Sequence, residues 1–87
     1  MFYVYILKND KEKIYIGISE NLKRRLRDHN NQRGSFFTKS GNFEMVFKEE
    51  HLTLKEARHR EIQIKKWRRD KKEILIKRYQ AELDTKV

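Results

Sequence analysis

The sequence predicts an α+β fold in which a small, mainly antiparallel three-stranded sheet is flanked by helices, in the order β-β-α-β-α-α. Three observations support this fold class. Residues 2–7 and 14–18 are rich in β-branched and aromatic residues and alternate tyrosines with aliphatic residues, which is typical of strands. Residues 43–47 alternate in the same way. Between and after these strands, apolar residues recur with the helical period of about 3.6 residues.

The first two strands are expected to form a hairpin, because the polar segment "NDKEK" between them is typical of a turn. If Leu7 faces Lys13 across the turn, Tyr5 faces Tyr15. The period-two alternation then places the tyrosines on one exposed face. The residues expected on that face are Tyr3, Tyr5, Tyr15 and Gly17, and those expected on the opposite face are Val4, Ile6, Ile14, Ile16 and Ile18.

The segment 19–32 is predicted to be a helix with Ser19 as its N-cap. Leu22, Leu26 and His29 share one stripe of this helix, and Arg25 lies at the edge of that stripe. The following segment, 31–42, contains two of the three glycines and is predicted to be a loop.

Two capping boxes predict the starts of the remaining helices. "TLKE" begins at Thr53 and opens a helix that runs to about Trp67. "DKKE" begins at Asp70 and precedes a last helix. The apolar residues expected on that last helix are Ile74, Leu75, Ile76, Tyr79 and Leu83.

The composition points to an anionic partner. The chain has 87 residues, which suits one domain over 1–87, and it carries 22 Lys and Arg against 13 Asp and Glu, a net charge of +9. Nucleic acid is the commonest partner for such a surface, although a merely solvated surface is the alternative. The absence of cysteine excludes disulfides and thiolate metal sites and fits a reducing, cytoplasmic location. The first residues do not resemble a signal peptide, and no apolar run suggests a membrane span.

Glu61 falls in the middle of the apolar stripe of the second helix, between Ala57 and Ile64. A carboxylate in that position is unfavourable unless it is paired or binds a metal. One alternative is a salt bridge with Arg25, Arg68 or a lysine. Another is a helix rotated so that Glu61 meets solvent.

Other candidates also have structural explanations. Arg25 is alternatively a partly buried arginine that reaches water, and His29 a capping or core histidine. Tyr5 and Tyr15 are alternatively a cross-strand pair that stabilises the hairpin. Together with Glu61 these residues supply two phenols, a guanidinium, an imidazole and a carboxylate.

These residues resemble the pattern of the GIY-YIG nuclease domain, in particular its small stand-alone members. "YIG" at 15–17 is the second half of the motif, whereas "YVY" at 3–5 stands where "GIY" is usual and keeps its tyrosine, Tyr5. Arg25 follows ten residues after the second-motif tyrosine. "EARHREIQIKKW" resembles the helix that carries the family's metal-binding glutamate, which is Glu61. The resemblance covers residues 3–76.

The resemblance implies an endonuclease that hydrolyses phosphodiester bonds in DNA with one Mg²⁺ or Mn²⁺, in repair or recombination. Tyr15 would be the general base, assisted by Tyr5, and its pKa would have to be lowered by Arg25 or the metal. Arg25 would stabilise the transition state, Glu61 would hold the metal, and His29 would assist proton transfer or support Tyr15. Gly17 would leave room for the substrate.

Two other functions remain open from the sequence. The first is a catalytically weak or inactive nucleic-acid-binding module, because the final "AELDTKV" lacks an asparagine that some family members use. The second is a basic adaptor that binds a protein partner. In the nuclease interpretation the partner is DNA, and branched DNA, single-stranded DNA and RNA all fit the basic surface. A protein partner is also open, and no membrane is expected to be involved. The residues expected to contact the DNA are Lys23, Arg24, Arg27, Arg33, Lys39, Lys65 and Lys66, with Phe36 and Phe37 either stacking on bases or anchoring the loop.

Overall fold

The structure, a computed structural model, describes residues 1–30 and 43–86, apart from the side chains of residues 28–30. Over these residues the chain forms three strands and three helices in the predicted order, which confirms the α+β class. None of the helices described is long and apolar enough to cross a membrane. The predicted loop at 31–42 lies outside the described residues. The elements are β1 (Phe2–Asn9), β2 (Ile14–Ser19), α1 (Leu22–Asn30), β3 (Phe43–His51), α2 (Leu54–Lys65) and α3 (Arg69–Gln80).

The three strands form one antiparallel sheet in the order β2-β1-β3, with β1 in the centre. The predicted hairpin register is wrong by two residues, since Tyr5 faces Gly17 and Leu7 faces Tyr15. The reason lies in Asn9, whose buried side chain closes the turn by accepting hydrogen bonds from two backbone amides, those of Lys11 at 3.0 Å and Lys13 at 2.8 Å. Because the shift is an even number of residues, the tyrosines keep their common face.

Both faces of the sheet are covered, so the expectation of an exposed tyrosine face is wrong. Helices α2 and α3 cover the aliphatic face, where Ile64 and Leu75 are fully buried. Helix α1 covers the other face through Leu22 and Leu26, and Tyr5 there is 0% exposed. We call this second cluster the tyrosine layer; it comprises Tyr5, Leu7, Phe43, Tyr15, Leu22, Leu26 and Met45.

Strand β3 extends to His51, beyond the predicted 43–47, and contains a bulge. Ile6 pairs with Phe47 but Leu7 pairs with Met45, so Val46 is the extra residue. The bulge divides the predicted alternation between the two faces of the sheet. Phe43 and Met45 belong to the tyrosine layer, whereas Phe47 packs on the opposite side.

The helix starts agree with the sequence at one of three positions. Thr53 caps α2 as predicted, accepting from the amide of Glu56 at 3.2 Å. Helix α1 is capped by Asn21 rather than Ser19, because the Asn21 side chain accepts from the amide of Arg24 at 3.1 Å.

The predicted capping box at Asp70 is also wrong. Helix α3 already begins at Arg69, so Asp70 lies in its first turn. Glu73, the second member of the predicted box, instead binds Lys8 at 3.0 Å and Arg69 at 2.8 Å. The helix ends at Gln80, so Leu83 lies beyond it and is exposed.

Candidate active site

Tyr5 and Tyr15 stack on each other within the tyrosine layer. Their ring centroids are 6.2 Å apart and their planes differ by 26°. Tyr5 comes from the central strand and is fully buried, whereas Tyr15 comes from the edge strand β2 and is partly exposed. The pair is diagonal rather than directly opposed, because Tyr15 faces Leu7 in the register.

Gly17 is required by the packing of Tyr5. A Cβ atom at position 17 would lie 2.7 Å from the Tyr5 hydroxyl oxygen and 2.9 Å from its Cζ, and 3.1 Å from Cε1 of Tyr15. These distances are shorter than van der Waals contact. The space beside Gly17 is therefore filled by the Tyr5 ring, and the expectation that it receives substrate is wrong.

The hydroxyl of Tyr5 is buried and has no partner at hydrogen-bonding geometry among the described residues. Burial, followed by the proximity of Tyr15, raises the pKa of Tyr5 to about 12, although Arg25 opposes the shift. Tyr5 is thus protonated at neutral pH. Its hydroxyl is available as a hydrogen-bond donor and is unsuited to accept a proton as a base.

Arg25 borders the tyrosine layer from α1. Leu22 and Leu26 of that helix pack into the layer, which brings the exposed side chain of Arg25 close enough to influence the ionisation of Tyr5. Arg25 also lines an open cleft of about 420 Å³, which we call the α1 cleft. This cleft is lined by Ile18, Ser19, Glu20, Asn21, Arg24 and Arg25.

Glu61 is paired with a lysine, which was one of the alternatives open from the sequence. The Glu61 side chain is 12% exposed, and its carboxylate lies 3.1 Å from Nζ of Lys65. Lys65 in turn lines a second open cleft, of about 430 Å³, together with Tyr15. We call it the α3 cleft; it is lined by Ile14, Tyr15, Ile16, Lys65, Arg69 and Lys72. Lys65 therefore forms an ion pair with Glu61 and lines the same cleft as Tyr15.

A site based on Glu61 suits a metal that needs few protein ligands. Among the residues that the structure describes, no three His, Asp or Glu side chains come together. Mg²⁺ is commonly held by one or two carboxylates, with water and substrate phosphates completing its shell. A single, mostly buried carboxylate whose partner Lys65 lines the α3 cleft fits that requirement.

The predicted basic residues lie on two helices on opposite sides of the sheet. Lys23, Arg24 and Arg27 are exposed on α1, and Lys65 and Lys66 are exposed at the end of α2. Arg33 and Lys39 lie outside the described residues, as do Phe36 and Phe37. The backbone of His29 belongs to α1, but its side chain also lies outside the description.

Two basic residues of the α3 cleft, Arg69 and Lys72, were expected from the sequence only as members of a basic run that could follow a nucleic-acid backbone, whereas Lys65 and Lys66 were singled out by number. They lie within the basic run 65–72, but composition alone does not indicate which members of a charged run face a site. The pairing of Glu61 with Lys65 was easier to predict from the sequence, because residues four apart on a helix are neighbours.

Three known proteins are similar to this chain over most of its length. A UPF0213 protein of Clostridium perfringens is 42% identical over 77 residues, which cover 87% of this chain and 83% of that protein. A UPF0213 protein of Staphylococcus saprophyticus is 36% identical over 75 residues, covering 85% and 92% of the two chains. The solution NMR structure of the UPF0213 protein BH0048 from Bacillus halodurans is similar with a TM-score of 0.58 at 32% identity, covering 88% of this chain and 84% of that one.

The family comparison covers the candidate site itself. The model of the GIY-YIG catalytic domain matches residues 1–74, a stretch that includes Tyr5, Tyr15, Arg25 and Glu61. The match covers most of the 87 residues. The chain therefore belongs to the GIY-YIG catalytic-domain family, a family of nucleases that act on nucleic acid.

Proposed function

We propose that this protein is a divalent-metal-dependent endonuclease that hydrolyses phosphodiester bonds in DNA. The observation that carries the proposal is the stacked pair of Tyr5 and Tyr15, bordered by Arg25. A structural aromatic pair has no need of a buried hydroxyl without a partner, because phenylalanine would pack as well. A buried hydroxyl of this kind calls for an explanation, and a chemical role supplies one.

The two tyrosines have different tasks in this proposal. Tyr15 is at the open edge of the layer, where its phenolate form takes the proton from the attacking water and becomes the neutral phenol. Tyr5, with its raised pKa, stays protonated and donates a hydrogen bond that holds the water or Tyr15 in place. The Arg25 guanidinium stabilises the negative charge that develops on the phosphate oxygens. This division follows from burial, which differs between the two rings.

Glu61 holds the Mg²⁺ or Mn²⁺ ion in this proposal. When bound, the ion neutralises the charge on the phosphate and on the departing oxygen. With the ion bound, Lys65 would no longer be paired with the carboxylate, and as a lining residue of the α3 cleft it would be available to a phosphate of the substrate. A surface ion pair of this kind contributes only about 0–1 kcal/mol, so the exchange is energetically accessible.

DNA is the proposed substrate because of the net charge of +9 and the basic clefts on both sides of Tyr15. Both clefts are open, so a nucleic-acid strand can enter them from solvent. We therefore propose branched or single-stranded DNA as substrate, with a role in repair or recombination in the cytoplasm.

A second candidate function is a DNA-binding module of the same fold that does not cleave. The observation that favours it is the ion pair of Glu61 with Lys65, which satisfies the carboxylate without a metal. The unusual "YVY" also favours it. Tyr3, the first residue of this motif, pairs with Glu50 of the neighbouring strand β3. That carboxylate raises the pKa of Tyr3, so this ring is also unsuited as a base.

A cleavage assay separates the two candidates. Branched, single-stranded and duplex DNA are incubated with the protein and Mg²⁺, Mn²⁺ or EDTA. We expect metal-dependent cleavage, and we expect Tyr15→Phe to lower its rate by about 10²-fold or more, the scale of a lost general base. Tyr79→Phe is the matched control, because Tyr79 packs against Phe47 on the other side of the sheet. Wild-type rates in Tyr15→Phe would contradict the assignment, and no cleavage of any substrate would favour the binding module.

A further inference from the structure

The edge strand β2 connects the two clefts. Its first residues, Ile14 to Ile16, line the α3 cleft, and its last, Ile18 and Ser19, line the α1 cleft. The strand lies at the edge of the sheet, with β1 as its neighbour. Tyr15 lines the α3 cleft. From Tyr15 the strand continues to the α1 cleft, which Arg25 lines. A ligand in both clefts would therefore have to follow β2 and pass the candidate site.

The α3 cleft is strongly cationic. Lys65, Arg69 and Lys72 line it, and no carboxylate is among its lining residues. Lys65 and Arg69 have carboxylate partners outside the cleft lining, but Lys72 has no ion-pair partner among the described residues. The potential in this cleft is consequently positive, and Lys72 is available to an anion.

Arg69 is held in position by the β1–β2 turn. Its guanidinium donates to the backbone carbonyl of Glu12 at 2.6 Å and to the carboxylate of Glu73 at 2.8 Å. A guanidinium fixed in this way loses little side-chain freedom when an anion binds. The hairpin thus pre-organises one cation of the cleft, and Lys72 lines the same cleft.

The walls between the cations are apolar and aromatic. Ile14, Tyr15 and Ile16 come from β2 and line the cleft together with the basic side chains of the two helices. A compact anion such as free phosphate would not use these walls. A nucleic-acid strand would use both features, with its phosphates on the cations and its sugars on the apolar surface.

We propose that one strand of the DNA runs along β2, so that a phosphate flanking the reacting one is bound in the α3 cleft by Lys72 and Arg69. The other flank lies over the α1 cleft near Arg24. Six residues of β2 span roughly 17–20 Å. The inference rests on the proposed function for the location of the reacting phosphate, but the DNA contact itself is measurable without cleavage.

Lys72→Gln tests the contact, with Lys77→Gln as the matched control on the same helix. Lys77 is exposed and does not line either cleft. Binding of a fluorescent single-stranded DNA oligonucleotide is followed by anisotropy in EDTA at several KCl concentrations. We expect Lys72→Gln to weaken binding several-fold and to reduce the slope of log affinity against log salt by about 1, as the loss of one phosphate contact does. We expect Lys77→Gln to keep the wild-type slope.

Uncharged methylphosphonates, introduced one at a time along the oligonucleotide, locate the phosphate. We expect the wild type to lose affinity at one position where Lys72→Gln shows no further loss, because both changes remove the same contact. Equal slopes for Lys72→Gln and Lys77→Gln, or the same methylphosphonate pattern in wild type and Lys72→Gln, would overturn the proposal. If the pattern appears but the protein cleaves no DNA, the proposed function fails while the path along β2 stands.

Discussion

The Tyr5 side chain occupies the space that a side chain at position 17 would need in the tyrosine layer. The missing Cβ at position 17 is what allows the Tyr5 hydroxyl to lie against the backbone of β2. The tyrosine and the glycine of the two halves of the motif are thus coupled by packing. This coupling gives a physical reason for the glycine that does not involve the substrate.

We expect Gly17→Ala to destabilise the protein by about 1–3 kcal/mol, the usual scale for overpacking a filled core. Urea denaturation monitored by circular dichroism measures the change. In a Tyr5→Phe background the penalty should be smaller, because the nearest atom, at 2.7 Å, is gone while Cζ at 2.9 Å remains. Wild-type stability of Gly17→Ala would mean that the ring of Tyr5 is not fixed where we describe it.

Tyr5→Phe separates structure from chemistry at the neighbouring position. The buried hydroxyl has no hydrogen-bond partner among the residues that the structure describes, so its removal should leave the free energy of unfolding unchanged or raise it by up to about 1 kcal/mol. The same variant should cleave more slowly, because the proposed donor is lost. Thermal unfolding and the cleavage rate are measured side by side. A clear drop in melting temperature would show that the hydroxyl has a structural partner.

Among the secondary-structure elements, a network of charges ties the first hairpin to α3. Glu73 accepts from Lys8 of β1 and from Arg69, and Lys8 also pairs with Glu12 of the turn at 2.9 Å. Arg69 also donates a hydrogen bond to the backbone carbonyl of Glu12 in the turn, which joins the turn to the network. The network therefore fixes α3 relative to the strand that forms one wall of the α3 cleft.

The pH dependence of stability reports on this network. The hydrogen bond from Lys8, with help from Arg69 and against burial, lowers the pKa of Glu73 below its ordinary value of 4.5. A carboxyl with a depressed pKa stabilises the fold above the unfolded pKa, and this contribution is lost as the pH falls through the folded pKa. Glu73→Gln should therefore cost about 0.5–1 kcal/mol at about pH 7 and progressively less below about pH 4.5. Denaturation at both pH values checks it, and a constant difference would contradict the assignment.

The order of the elements was predictable because each has a strong local pattern. The strands alternate aromatic and aliphatic residues, and the capping box at Thr53 sets the start of α2. The hairpin register was not predictable, because it depends on how the Asn9 side chain closes the turn. The segment "NDKEK" also lacks a strong hairpin signal such as Asn-Gly. The bulge at Val46 likewise arises from pairing between strands and leaves no mark in local sequence.

The composition of the candidate site was more predictable than its burial. Tyr5, Tyr15 and Arg25 are brought together by the sheet and α1, as their spacing suggested. The burial of Tyr5 was missed because the tyrosine face was treated as solvent-facing. Leu7 has the same parity as Tyr5 on β1, which was a signal that this face is also covered.

Across the whole molecule, the sheet lies between two basic helical surfaces. Both surfaces border clefts that are lined by the edge strand β2. Helix α1 contributes Arg24 and Arg25 from one side, and α2 and α3 contribute Lys65, Arg69 and Lys72 from the other. Charge on both sides of Tyr15 suits a substrate that extends beyond a single phosphate. Glu61 is the one acidic residue that our account of the chemistry requires, and it pairs with a cation of that surface.

Glu61→Gln is the variant that tests the central claim most directly. Lys65, its ion-pair partner, is 52% exposed and can turn to water when the pair is broken. The structural loss should therefore be small, about 0–1 kcal/mol. The proposed role in holding the metal is lost completely, because an amide is a poor ligand for a hard cation in place of a carboxylate.

Melting temperature, Mn²⁺-dependent cleavage and DNA affinity in EDTA are measured for Glu61→Gln beside the wild type. The account predicts a melting temperature within a few degrees of wild type, DNA affinity that is retained or slightly higher, and loss of cleavage. A large fall in melting temperature with cleavage retained would mean that Glu61 belongs to a structural salt bridge and that the catalytic account is wrong.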